Sequence, residues 1–334
     1  MFRNKARPRR SCPLPSRPNH STFRRMEMLP APRDNLRGIA WILFSVLAAS
    51  GMSVAVRELS GGLDSRMIVL LRATLSSAAI LALLATLPRL RASLRFTRPA
   101  THITRGLLIA LSTHLGFYTL AEIPLATAAI LFFTAPIFAT ILAGPLLGEH
   151  VGPRRWAAVA AGFAGALIIL RPGVGDLHPA MLAALGSSAF FAIALLQSRG
   201  LAEADGPFSA FTSSVIITAL ATLPFMSGGW GLPPTGFAWA ITGLLVITGA
   251  ARGIADIQAY RHGEASILGP ITYLRLVLVG LAGYLFYGEI IDGPTLIGAA
   301  IIIASTLYIS QRAARQAQNR RRAASAAEIV PSSR

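Results

Sequence analysis

Ten apolar runs separated by short polar breaks constrain this chain more than any other feature. They cover approximately residues 38–56, 67–87, 106–121, 123–147, 156–170, 177–198, 207–226, 236–258, 265–287 and 294–311. A membrane-crossing helix needs about 20 mostly apolar residues, and the runs cluster around that length. The residues do not alternate with period two, as the strands of a closed barrel do. Hydrophobic residues make up 53% of the chain and charged ones 13%, against about 25% charged in soluble domains. A water-soluble fold of this length could not hide so much apolar surface. The expected fold class is an all-α integral membrane protein with ten transmembrane helices. The third and fifth runs are short, and Arg105, Arg155 and Arg171 are expected to snorkel outward and extend them.

The net charge of +17 raises the question of nucleic acid, but its distribution answers otherwise. Arg and Lys gather in the tails and the breaks, without a basic helix face or interleaved aromatic platform. With the N-terminus inside, 25 Lys/Arg fall in the N-tail, the breaks at 88–105, 148–155, 199–206 and 259–264, and the C-tail. Only Arg57, Arg66 and Arg171 fall on the opposite side, and Arg72, Arg252 and Arg275 lie within spans. Such a bias places both termini in the cytoplasm of a bacterial inner membrane. The partners expected are the bilayer and a small-molecule substrate; no nucleic acid is expected, and a homodimer is allowed.

Other chemistries are closed off by single residues. Cys12 is the only cysteine, so no disulfide within the chain and no Cys-based metal site can form. The histidines at 20, 102, 114, 150, 178 and 262 contain no i, i+4 pair for zinc. Lys5 is the only lysine, which removes a phosphate-binding GxxxxGK[ST] loop and an internal Schiff base. No cofactor, metal or catalytic group is therefore expected. Residues 1–37 hold ten basic residues, two acids and six prolines, with no apolar stretch of a secretory signal. They read as a disordered basic tail, or as the result of translation starting at Met26 or Met28. Residues 312–334 read as a basic C-terminal tail.

One internal echo stands out. Gly148-Glu149-His150-Val151-Gly152-Pro153 follows the fourth run, and Gly288-Glu289-Ile290-Ile291-Asp292-Gly293-Pro294 follows the ninth. The Gly-Glu pairs lie 140 residues apart, and each closes an apolar run containing a proline, Pro136 or Pro270. A glycine helix cap followed by an acid explains either one alone, but the matched place in each half argues for duplication. Five spans separate equivalent points, so the second copy is inverted relative to the first, an arrangement found in secondary transporters. The expected halves are 38–173 and 174–311.

Ten spans in two five-helix repeats, with Gly-Glu after the fourth helix of each, resemble the EamA-type drug/metabolite transporter superfamily. Thr134-Ala-Pro-Ile-Phe138 with Gly148-Glu149 resembles the first repeat. Tyr273-Leu-Arg-Leu276 with Gly283-Tyr-Leu-Phe-Tyr-Gly-Glu289 resembles the second, in the style of the S-adenosylmethionine-uptake-like branch, as does Ile169-Leu-Arg-Pro-Gly173. The resemblance covers about residues 38–311. It implies a carrier of small metabolites, a class whose members handle amino acids, amines, phosphorylated sugars and drugs.

Charges at membrane depth each cost roughly 2.5–3.5 kcal/mol on insertion. Arg275, beside Tyr273 and after Pro270, and Arg72 in the second run are candidates to clamp a substrate carboxylate or phosphate. The alternative for each is a structural hydrogen bond or snorkelling. Tyr118 and Arg252 complete the candidate substrate-binding set. Arg252 and Asp256 are spaced i, i+4 and can pair on one helix face. Asp256 and His114 are candidate proton carriers. Ala157, Ala161, Gly165, Gly249 and Gly253 read as close-packing positions, and Glu122 as interfacial. The reading is a secondary transporter acting by alternating access. Its rivals are a channel or structural membrane protein, and an intramembrane enzyme using Ser53 with His114.

Overall fold

The structure, a computed structural model, describes residues 35–147, 152–171, 177–226, 230–262, 268 and 270–329. Every regular element among them is helical. The first half contains α1 (Asn35–Ser60), α2 (Ser65–Thr86), the short α3 (Pro88–Ser93), α4 (Pro99–Glu122), α5 (Leu125–Phe132), α6 (Ala135–Leu147) and α7 (Pro153–Leu170). The second contains α8 (Pro179–Asp205), α9 (Pro207–Thr222) with a 3-10 turn over Leu223–Phe225, α10 (Gly236–His262), α11 (Leu274–Tyr287) and α12 (Gly293–Ile329).

Local chemistry accounts for half of the helix starts. Prolines open α3, α4, α7, α8 and α9, at positions where a missing N–H costs nothing. The Asp64 carboxylate caps α2 by accepting the Arg66 amide at 2.8 Å. Gly206, at φ 83°, makes the tight junction between α8 and α9, a backbone angle that a side chain resists.

Helices occupy each of the ten apolar runs. Among the described residues eight are long and apolar enough to cross a membrane, α5 and α6 counting there as one. The other two runs hold α4, which carries His102, Arg105 and His114, and the 14-residue α11. One expectation needs correction. The helix of the third run starts at Pro99, so Arg105 lies inside it and bonds inward instead of snorkelling. Helix α12 continues to Ile329, because the Ala, Arg and Gln that follow the apolar run are strong helix formers. The first Gly-Glu pair, the stretch 172–176 and the tail before residue 35 lie outside the described residues.

The most extensive helix contacts pair α1 with α10, α4 with α8, and α7 with α12. In span numbers these are 1 with 8, 3 with 6, and 5 with 10, a set that maps onto itself when every span shifts by five. The α7–α12 crossing is tight because Gly165 and Gly298 face each other. A Cβ on Gly165 would come within 2.9 Å of the Gly298 carbonyl oxygen, so only small residues let these backbones meet.

Candidate functional site

The fourth span of each half is broken, the first just ahead of Pro136 and the second just after Pro270. Pro136 has no N–H, so the Phe132 carbonyl loses its helical donor. The chain tightens there into i→i+3 bonds: Thr134 N–H to the Leu131 carbonyl at 3.1 Å and Ile137 N–H to the Thr134 carbonyl at 2.9 Å. Neighbouring helices cover the carbonyls set free. The Ser188 hydroxyl reaches the Leu131 and Phe132 carbonyls at 3.3 and 3.4 Å, and the Thr306 hydroxyl reaches that of Phe133 at 3.4 Å. This is how irregular backbone survives in a membrane. The second break shows the same turn, with Tyr273, Arg275 and Leu276 amides bonded to the Pro270, Thr272 and Tyr273 carbonyls.

The two breaks meet. Phe133 and Tyr273, which the 140-residue offset makes equivalent, stack with ring centroids 4.7 Å apart and planes 18° from parallel. Two equivalent residues touching each other is what a two-fold axis through this point requires.

Arg275 follows the second break directly. Its Nη2 donates to the Ser53 hydroxyl at 3.1 Å, while its Nε is buried without a hydrogen-bond partner among the described residues. Arg252 and Asp256 are its charged neighbours, and Arg252 is also the charged neighbour of Arg72. Asp256 accepts a 2.5 Å bond from the Ser45 hydroxyl and lies 3.7 Å from Arg252 Nε. Among the described residues Arg252 and Arg275 thus share the Asp256 carboxylate, with Arg72 neighbouring Arg252 alone. Such an arrangement can hold an anionic group.

Other candidates fall elsewhere. Arg72 lies 5.6 Å from the centre of the Phe117 ring. It lines a cavity of about 300 Å³ between α2, α4, α8, α9 and α10, apart from Tyr273. Tyr118 packs against the apolar core. His114 bonds the Thr222 hydroxyl at 3.0 Å and leans on Phe225, near the face opposite Asn35 and away from Asp256. Ser53 donates to the Ala49 carbonyl and accepts from Arg275, so the Ser53–His114 dyad is not assembled. Gly249 gives the Arg72 guanidinium room, since a Cβ there would meet Nε at 3.1 Å.

Two polar networks were not visible in the sequence. At the face opposite Asn35, Gly288 ends α11 in the left-handed conformation, φ 64°, and turns Glu289 back over Gly283. The Glu289 carboxylate accepts the Leu125 N–H, the first of α5, at 2.7 Å and lies 3.5 Å from Arg57. A carboxylate at a helix N-terminus is favourably placed. Arg57 in turn donates to the Ala121 carbonyl at 2.5 Å, and Arg171 pairs with Asp292. At the Asn35 face, the buried Asp205 carboxylate accepts the Thr97 amide and hydroxyl and pairs with His102 at 3.1 Å. Burial pushes this carboxyl up, but the Thr97, His102 and Arg98 donors together outweigh it and lower it to about 2. The one signal that pointed to either network was the Gly288-Glu289 pair.

The chain matches the EamA-like transporter family twice, over residues 36–171 and 178–311. It is 31% identical to an S-adenosylmethionine uptake transporter of Rickettsia felis over 282 residues, covering 84% of this chain and 95% of the relative. It is 32% identical to a riboflavin transporter of Vibrio cholerae over 280 residues, covering 83% and 93% respectively. A pseudopaline exporter of Pseudomonas aeruginosa is 26% identical, covering 81% of this chain and 95% of the relative. A solved structure 22% identical in sequence, covering 84% of this chain and 98% of its own, superposes with a TM-score of 0.57 and shares the fold. With all-helical architecture, apolar spans and both halves matched, the chain is a multi-pass integral membrane protein and belongs to the EamA-like transporter family.

Proposed function

We propose that this transporter carries a small metabolite bearing a carboxylate or phosphate across the bacterial inner membrane by alternating access, with Arg275 as the residue that receives the anion. The observation that carries the reading is Arg275 itself: a guanidinium beside a broken helix, with Nε unbonded among the described residues and Arg252 sharing its carboxylate neighbour Asp256. An anionic ligand is what offsets such a cluster in a medium of low dielectric. The stacked Phe133–Tyr273 pair and the self-mapping helix contacts support two inverted repeats around the site. The closed network at Glu289 supports a conformation shut at the face opposite Asn35. Both termini lie in the cytoplasm on this reading, and an active periplasmic reporter fused at Gly231 is the expected check.

Asp256 is the proton carrier in this scheme, since it borders Arg275 while His114 does not. Asp256→Asn should remove the pH dependence of net uptake and leave substrate exchange intact. The decisive experiment offers proteoliposomes a panel that includes S-adenosylmethionine, which bears a carboxylate, and riboflavin, which bears neither carboxylate nor phosphate. Saturable uptake of a carboxylate or phosphate compound, lost in a correctly inserted Arg275→Leu variant, is the expected result. Uptake of riboflavin alone, or normal transport by Arg275→Leu, would overturn it.

A further inference from the structure

The cavity between α2, α4, α8, α9 and α10 lies apart from the stacked breaks, and its two arginines are in opposite conditions. Arg105, near the Asn35 face, donates through Nε to Ser198 at 2.7 Å and through Nη1 to the Ala210 carbonyl at 2.9 Å and to Ser214. It is a structural cross-brace between α4, α8 and α9. Arg72, at the inner end, donates no hydrogen bond among the described residues. It rests on Phe117 and against Gly249, so its position is held while its donors stay unspent. A contact with an aromatic face offsets only part of what a charge at this depth costs.

The rest of the wall shows what the cavity selects. None of its lining residues among those described is acidic. Thr113 donates its hydroxyl to a carbonyl of its own helix. Ser76, one turn along α2 from Arg72, makes no such bond and can donate alongside it. Phe211 supplies an apolar wall. Five guanidinium N–H groups and a hydroxyl at the end of an acid-free cavity form an anion site, of a size at the low end of small-molecule pockets.

We propose that this cavity is a binding site for a carboxylate- or phosphate-bearing molecule, which enters from the Asn35 face and is received by Arg72 and Ser76. The proposal stands without the assignment of Arg275, because the two arginines occupy different surroundings. Two sources share this chemistry, a soluble anion and an anionic lipid headgroup.

The test places a reporter thiol in the cavity: Ser76→Cys in a Cys12→Ser background, purified into phosphatidylcholine nanodiscs. Anionic and cationic methanethiosulfonate reagents are compared for rate of modification. The anionic reagent should react about tenfold faster than the cationic one, as a positive cleft concentrates counter-ions. Inorganic phosphate should slow it, and Arg72→Gln should abolish both the preference and the protection. Arg72→Lys, which keeps the charge should the Gln variant not fold, should retain the preference and lose much of the protection. Protection by phosphate identifies a soluble anion, and protection only when phosphatidylglycerol is included identifies a lipid headgroup; either supports the site. No modification, equal rates for the two reagents, or protection undiminished in Arg72→Gln would overturn it. Repeating the assay with Arg275→Leu separates the two sites, because protection should persist where transport is lost.

Discussion

The break at Phe133–Thr134 and the break at Thr272–Tyr273 are the same device built twice, yet only one of them carries a charge. Both tighten the backbone into i→i+3 bonds, and their aromatic residues stack on one another. In the first break, hydroxyls from α8 and α12 cover the exposed carbonyls, and Ala135 follows. In the second, Arg275 stands at the position equivalent to Ala135 and keeps a buried donor unspent. Duplication therefore supplied the bent backbone to both halves, while the chemistry was placed in one. A symmetric scaffold need not hold a symmetric site.

The largest effect expected comes from erasing that asymmetry. Ala135→Arg puts a further guanidinium at membrane depth and should cost about 3 kcal/mol, read as a sharp loss of folded, monodisperse protein. A variant that folds like the parent would mean the two breaks offer equivalent surroundings. Next comes Arg275→Lys, which keeps the charge but loses the planar fork. Apparent affinity in the uptake assay should fall about tenfold, with little change in melting temperature. A Lys variant of unchanged affinity would show that charge alone suffices there.

Ser188→Ala and Thr306→Ala sharpen the other side of the comparison. Each uncovers a carbonyl at the first break and should cost about 0.6–1 kcal/mol of stability, with substrate affinity unchanged. An affinity loss in either would make the first break part of the binding site. A further effect, read in its pH dependence, is expected far from both breaks, at Asp205. Its carboxyl is lowered in the folded state, so its ionised form favours folding above the ordinary carboxylate range, near pH 4. That contribution fades as pH falls toward 2. Melting curves at pH 5 and pH 3 should show Asp205→Asn losing less on acidification than the parent. An equal loss would place the acid-sensitive group elsewhere.

Much of the fold was legible because the membrane makes apolar length a direct readout of helices. The ten runs, the doubled Gly-Glu and the three intramembrane arginines were plain on reading. Helix ends were less so. Arg105 looked like the edge of a run, since a polar stretch from Pro99 to Arg105 masks a helix whose polar groups point at α8 and α9. Candidate residues were recognised by type, but the grouping was not. Arg72, Arg252 and Arg275 are remote in sequence, as are His114 and Asp256, and only packing separates the second pair while assembling the first three.

By itself the sequence determined that this chain crosses a membrane as helices, that its halves echo each other, and that charges at depth demand a partner. Those conclusions rest on local properties: the transfer cost of each residue, the missing N–H of proline, the spacing of a repeat. Tertiary structure decided which charge is satisfied. Arg105 and Arg72 are the same residue type lining one cavity, and nothing in their neighbours along the chain tells them apart. One meets hydroxyls and a carbonyl from α8 and α9, the other an aromatic face and a glycine. A hydrogen bond requires atoms within about 3 Å, and which atoms come that close is set by how the helices pack.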